Sequence, residues 1–583
     1  LEAIAQTKDE FPLKGIVHLW SLETDVWELA TTQELTCRSI LNLLQATPAL
    51  LKLPPLWLVT QGVMGTGDEG TSLVSNAAET PGDRTTNMQP QQALLWGLGK
   101  VITMEYPGLD CRCLDLDPNA SEEETLKVLV EEVVRHPVSK GNVSTNTENQ
   151  IRYRQGARQV ARLTQAKLET DTKLVLENQS SYLITGGLGG VGWEIAKFLV
   201  QQGARNLVLI GRNAPSETAT ESIQQLEKAG ANVSVLLGDV SKEKDMVDIF
   251  QHIQTSLPPL KGVIHAAGVI DDGLLQQMSW QQFTKVTAPK VEGTWNLHKL
   301  TKDIPLDFFV CFSSITSVLG NPGQGNYAAA NAFMDGITQY RRHLGLPGLS
   351  INWGGWANVG MAARMEAQQQ SRLQSQGFQS IQPEQGLQAF EEVLAGNQAQ
   401  IAVFPVDWPQ FLTQFGSMTP ALLSDLASQF DLQAQTNHGP KLREFLEELK
   451  RTTQEQRQRL IIDYLVSTVA KILRRSKTDL PDPEEGFFNL GMDSLMAVDL
   501  SRRIQADLGI SLSSTSTFEY PNIQSLADYL EELIPSSYDP QAESETPEVT
   551  INSEDILSGI SQLSENEMEQ ALDEALSELD LLL

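Results

Sequence analysis

The string FSSITSVLGNPGQGNYAAANAFMDG places the hydroxyl of Ser314 thirteen residues before the phenol of Tyr327, and Asn331 four residues beyond that phenol. A spacing of four puts Tyr327 and Asn331 on one face of a helix. Lys290 stands thirty-seven residues before Tyr327, in APKVEGTWNL. These residue types suit reduction of a carbonyl group. A phenol can donate the proton that the oxygen needs. A free phenol has a pKa of about 10, and a nearby ammonium lowers it. Lys290 is expected to lower Tyr327 in this way. A serine hydroxyl can bond the oxygen where negative charge develops. Asn331 is expected to hold Lys290 or a proton-relay water in place.

Reduction also needs a hydride source. Thr185-Gly186-Gly187-Leu188-Gly189-Gly190-Val191-Gly192 follows the strand-like SYLITGG and opens the helix-like VGWEIAKFLVQQG. Glycines there allow a tight turn and a close approach of backbone to a pyrophosphate, which the helix N-terminus then attracts. The next strand ends at Gly211-Arg212 and carries no acid there. An acid would grip the 2′-hydroxyl of NAD, whereas Arg212 suits the 2′-phosphate of NADP. Asp239 and Val240 end the third strand, where an adenine contact would lie. Ala266, Ala267 and Gly268, after the strand-like GVIHAAG, complete the expected cofactor-binding set.

These separated residues agree in type and order with a known family. The chain resembles the short-chain dehydrogenase/reductases and, more narrowly, the ketoreductase domains of modular type I polyketide synthases, over roughly residues 10–430. Ordinary members of the superfamily carry Lys four residues after the Tyr. This chain has Asn331 there and Lys290 upstream, an exchange that resembles the polyketide pattern. The resemblance implies NADPH-dependent reduction of a β-ketoacyl thioester. In HAAGVIDDG, Ile270-Asp271-Asp272 stands where B-type members carry Leu-Asp-Asp. The A type has Trp eight residues before the Tyr, where this chain has Leu319; Ala329 stands where epimerising B-type members have Pro. The resemblance therefore implies a B-type, non-epimerising reductase that forms a D-hydroxyl. VHLWSL, QALLWGLGKV and CRCLDLD resemble the structural subdomain of these enzymes, a truncated nucleotide-fold copy without a glycine fingerprint. The part that usually precedes VHLWSL is expected to be missing, so the chain reads as cut at its N-terminus.

Further on, FFNLGMDSLMAVDLSRRIQADLGI sets Ser494 where an apolar-periodic helix begins, an N-cap position. The fuller string, with TFEYPNIQSLADYL, resembles an acyl carrier protein over 442–535. That implies 4′-phosphopantetheine on Ser494, attached by a phosphopantetheinyl transferase. A flexible arm on a small acidic bundle replaces free diffusion by effective concentration. At the end, Ile556, Leu557, Ile560 and Leu563 form one apolar stripe, and Met568, Leu572, Ala575, Leu576, Leu579 and Leu583 another. Two such short helices need a partner to bury these stripes. They resemble a docking domain that joins one synthase polypeptide to the next.

The elements that must position these residues alternate strand and helix from Ser181 to FFVCFSS, which argues for right-handed βαβ units. The expected fold class is α/β: a Rossmann-type doubly wound parallel sheet with a truncated structural subdomain, then a small helical bundle and docking helices. The expected division is 1–165 structural subdomain, 166–432 catalytic NADPH-binding subdomain, 433–441 linker, 442–535 carrier, 536–552 linker and 553–583 docking helices. Over 583 residues the net charge is −31, and from Ile504 onward there are 18 acidic residues and no Lys, Arg or His. That balance disfavours nucleic acid and anionic membranes. Four cysteines without a CxxC, and seven scattered histidines, support neither a disulfide scaffold nor a metal site. No apolar run approaches the roughly 18 residues of a membrane span. The reading is a cytoplasmic synthase fragment of ketoreductase, carrier and docking helices, part of a homodimeric megasynthase with upstream domains on the same polypeptide. The rivals are a carrier and docking scaffold with an inactive reductase, and a fatty-acid-type reductase outside polyketide assembly.

Overall fold

The computed structural model describes residues 13–430 and 449–533 with internal gaps, the longest at 64–86, 136–147 and 362–372. The two expected linkers and the expected docking helices lie outside the described residues. The described chain forms two sheets and a helical bundle.

The first sheet has five strands in the order β1-β2-β3-β4-β5: Ile16–His18, Leu56–Gln61, Arg112–Leu116, Gln150–Arg154 and Ala157–Val160. Its pairings are parallel except for the β4–β5 hairpin.

The second sheet is wholly parallel, with seven strands in the order β12-β11-β10-β9-β6-β7-β8. Its strands are β6 (Ser181–Thr185), β7 (Asn206–Gly211), β8 (Asn232–Leu237), β9 (Leu260–His265), β10 (Phe308–Ser314), β11 (Leu349–Trp353) and β12 (Gln400–Val403). The central strands are continuous apolar runs, buried on both faces as parallel strands must be. Strand order reverses between β6 and β9, and a crevice opens there at the carboxyl ends of the strands.

Six helices bear on the site: α1 (Ala93–Glu105), α2 (Gly190–Gln201), α3 (Glu217–Lys228), α4 (Glu243–Ser256), α5 (Trp280–Lys290) and α6 (Gly325–His343). The α1 sequence ALLWGLGKVITME is apolar nearly all round, because α1 is sandwiched between the two sheets. One apolar cluster runs from Leu94, Leu98 and Ile102 on α1 to Ala328, Phe333 and Ile337 on α6. The backbones meet at Gly97, where an added Cβ would stand 2.2 Å from the Ala328 carbonyl oxygen. α2 covers the opposite face of the seven-stranded sheet, where Phe198 meets Phe390.

The C-terminal bundle packs α7 (Gln454–Ile472), α8 (Ser494–Leu508) and α9 (Ile523–Leu533) around Leu465, Phe487, Leu500, Ile504 and Leu526. Its apolar cluster shares no member with those of the two sheets.

Candidate active site

The glycine turn is built as its chemistry requires. Gly186 and Gly190 have φ of +70° and +57°, the left-handed region that costs glycine least. A Cβ on Gly186 would stand 3.0 Å from the Ala266 carbonyl, and one on Gly192 would stand 2.5 Å from the Gly186 oxygen. At Gly189, which caps α2, a Cβ would meet nothing within 4 Å. The turn is thus closed against the protein and open on its outer side, with the amides at the start of α2 facing a cavity of about 990 Å³. Thr185, Leu188, Arg212, Asp239, Val240, Ala267 and Gly268 line the same cavity. Gly187 does not; it packs inward against Leu209. The donor set fits a dinucleotide: helix-start amides for pyrophosphate, and exposed Arg212 at the end of β7 for a 2′-phosphate.

Of the four residues expected to handle the carbonyl, Ser314, Tyr327 and Lys290 line this cavity, and Asn331 is buried one helical turn behind Tyr327. Ser314 ends β10, and its Oγ accepts from the Thr316 amide at 3.3 Å. Tyr327 lies in the first turn of α6. Asn331 follows one turn later, and its Nδ2 donates to the Tyr327 carbonyl at 2.7 Å. Lys290 ends α5, 2% exposed, with Nζ 5.4 Å from the centre of the Tyr327 ring. Nζ donates to the Phe312 carbonyl at 2.9 Å and also contacts the Met334 sulfur.

Two expectations need correction. Lys290 was expected to lower Tyr327. Burial instead pushes the phenol above its ordinary value, and hydrogen bonding with Asn331 and Ser314 pulls it only partly back. The ammonium sits over the ring, 5.4 Å from its centre, and burial lowers Lys290 itself to about 8. Asn331 was expected to hold Lys290 or a proton-relay water, and the first of these is corrected. The Phe312 carbonyl holds Lys290, and Asn331 Oδ1 is buried without a hydrogen-bond partner.

The residues expected to set the stereochemistry lie in a strapped loop. Asp271 pairs with Lys285 Nζ at 2.6 Å, which holds its carboxyl below the usual range. Asp272 accepts from Gln324 Nε2 at 3.0 Å, and burial raises it. Ile270 is exposed at the rim. Leu319 lines the same cavity.

Three buried polar residues around the site escape sequence reasoning. His265 Nδ1 meets Thr185 Oγ1 at 2.6 Å and Nε2 meets the Pro289 carbonyl at 2.9 Å, linking the glycine turn to the end of α5. The polar interruption in GVIHAAG is its one sequence signal. Asp335 on α6 accepts from Ser317, Ser350 and Asn352 in a buried network beneath the catalytic helix. Glu105 reaches in from α1. In the C-terminal bundle, Gly491 takes φ of +93° before Ser494, the first residue of α8.

Comparison with known proteins decides the family. The KR domain family matches residues 180–358, and the phosphopantetheine attachment site family matches 463–530. The chain is 31% identical over 480 residues to polyketide synthase GfsA of Streptomyces halstedii, covering 82% of this chain and 6% of that protein. It is 33% identical over 460 residues to the phenolphthiocerol synthesis polyketide synthase Pks15/1 of Mycobacterium marinum, covering 76% of this chain and 22% of that one. A solved A1-type ketoreductase aligns with TM-score 0.61 and 30% identity, over 72% of this chain and 84% of its own. Another, from the A-type ketoreductases of a modular polyketide synthase, gives 0.60 and 31% over the same shares. The chain belongs to the polyketide synthase ketoreductases. It is a ketoreductase fused to a carrier domain, and its cofactors are NADPH and 4′-phosphopantetheine. It spans 6% and 22% of the two synthases named. Among the described residues there is no cluster of three metal-ligating side chains, and no helix long and apolar enough to cross a membrane.

Proposed function

We propose that this chain reduces a β-ketoacyl thioester, carried by phosphopantetheine on Ser494, to a D-β-hydroxyacyl thioester in polyketide assembly. The observation that carries this reading is that Ser314, Tyr327 and Lys290 line the same cavity as the glycine turn, with Asn331 buried behind Tyr327. NADPH, when bound, supplies hydride. Ser314 and Tyr327 donate hydrogen bonds to the keto oxygen, and Tyr327 gives its proton as negative charge grows there. Burial holds the phenol protonated until that moment. Lys290, over the ring face, stabilises the tyrosinate that forms. Asn331 Oδ1 is the acceptor that a relay water or Lys290 would satisfy during reprotonation.

Ile270-Asp271-Asp272, Leu319 in place of Trp, and Ala329 in place of Pro support a B-type, non-epimerising outcome, although the two solved relatives named are A-type. The reading includes the domain division given above, with docking helices at 553–583 that engage the next polypeptide. It also includes upstream domains, a phosphopantetheinyl transferase, a homodimeric synthase and a cytoplasmic setting.

The test is loss of NADPH absorbance with a small β-ketoacyl thioester. We expect Tyr327→Phe to lower turnover by roughly 10²–10⁴-fold, typical of a lost general acid, while NADPH still binds. The product should be the D-hydroxy thioester. A folded, NADPH-binding protein without turnover would instead support the inactive scaffold, and an L product would sink the B-type assignment.

A further inference from the structure

Glu105 ends α1, outside the nucleotide-binding sheet, and is 1% exposed. It does not line the cavity. Its Oε2 accepts from the Leu275 amide at 2.8 Å and its Oε1 from the Gly323 amide at 2.7 Å. Those two amides belong to the two loops that wall the substrate end of the cavity. One loop carries Ile270 and Asp272, and the other carries Leu319, Pro322 and Gln324 before running into Tyr327. The loops also bond each other: the Gly273 amide donates to the Gly323 carbonyl at 2.8 Å, and Gln324 donates to Asp272. Gln45 and Tyr106 anchor the first loop from the same side as Glu105. Gln45 Nε2 donates to the Leu275 and Met278 carbonyls, and the Tyr106 hydroxyl donates to Gln276.

A carboxylate is the side chain that this geometry asks for. It accepts on both oxygens, so one residue satisfies two buried amides from separate segments. One of the two segments also carries Ile270-Asp271-Asp272, and the other carries Leu319, where the A type has Trp. We propose that Glu105 is a positioning residue for the reduction, clasping the two loops so that the keto group enters in one orientation. This rests on the reductase function proposed above. Glu105 would act through Asp272 and Tyr327 and touch neither substrate nor NADPH.

Glu105→Gln keeps the shape and turns one acceptor into a donor, so one of the two amides faces an N–H group. We expect turnover to fall by about tenfold to a hundredfold, the cost of a small misplacement of reacting groups. The minor hydroxy enantiomer should rise at the same time. NADPH affinity should stay within about twofold, because the glycine turn lies at the far end of the cavity. Unchanged turnover and configuration would overturn the proposal. So would a loss of NADPH affinity in step with turnover, which marks a general structural defect. Hydrogen exchange in the unaltered chain gives a second reading that does not depend on how the variant folds. The amides of Leu275 and Gly323 should exchange together, in one opening event; independent exchange would sink the clasp. Wild-type turnover in the same assay separates the two levels: its absence removes the reductase function, and the role of Glu105 falls with it.

Discussion

At the scale of single residues, the chemistry turns on which groups carry charge. Lys290 is lowered to about 8 because its ammonium is buried. The ammonium form is therefore present below that value and lost above it. If it stabilises the tyrosinate formed at Tyr327, kcat should fall as pH rises through about 8. In Lys290→Met that limb should disappear from a residual, lower activity. A pH–rate profile of both proteins checks this, and an identical limb in the variant would assign the titration to another group. Ser314, Tyr327, Asn331, Lys290 and the glycine turn were all legible in the sequence, because their chemistry needs particular residue types at set spacings. Their electrostatics were not. Whether an ammonium lies beside a hydroxyl or over a ring is decided by the path of α5, and no spacing encodes that.

Among the elements, the contact between α1 and α6 sets the position of Tyr327. Gly97 lets the two backbones meet, and a methyl group there would overlap the Ala328 carbonyl. Gly97→Ala should cost about 1–3 kcal/mol, the usual range for overpacking, seen as a lower Tm. Turnover should fall too, since Ala328 adjoins Tyr327. Retained Tm and turnover would show that the helices separate freely. The sequence made the strands from β6 to β10 legible through their long apolar runs. It did not reveal β4, β5, β11 or β12. QIRYR and ARQV are largely polar and form a hairpin: ARQV is the half-exposed edge strand, and QIRYR beside it buries Arg154 because Asp115 pairs with it. LSINW buries Ser350 and Asn352 because Asp335 bonds both. QIAV is a short edge strand. In each case a partner distant in sequence makes the strand.

For the whole molecule, buried histidines govern acid stability. Burial lowers His18 to about 4, and His265 and His298 to about 3. The unfolded chain binds protons at these three sites from about 6.5 downward, while the folded chain does not. These imidazoles therefore take stability away as pH drops from about 6.5 toward 4. Glu105, pushed up to about 7, works in the opposite sense, as do Asp272, Glu292 and Asp335, which burial also raises. Thermal melts between pH 7 and 4 of the chain and of His298→Asn isolate the imidazole contribution: the variant should lose less Tm on acidification, and an equal loss would refute it.

The order of the two sheets along the chain has a consequence for synthesis. Every strand of the five-stranded sheet, and α1, lies before residue 161, whereas Tyr327 and α6 come much later. Domains tend to fold from the N-terminus as they leave the ribosome. The first sheet can thus be in place, with one face of α1 still bare, while the second is being translated. The last parallel strands must wait for β11 and β12, and such non-local pairing is slow. During that wait α1 offers the emerging catalytic helix a ready surface. The first sheet would then serve as a template on which the reductase site is assembled.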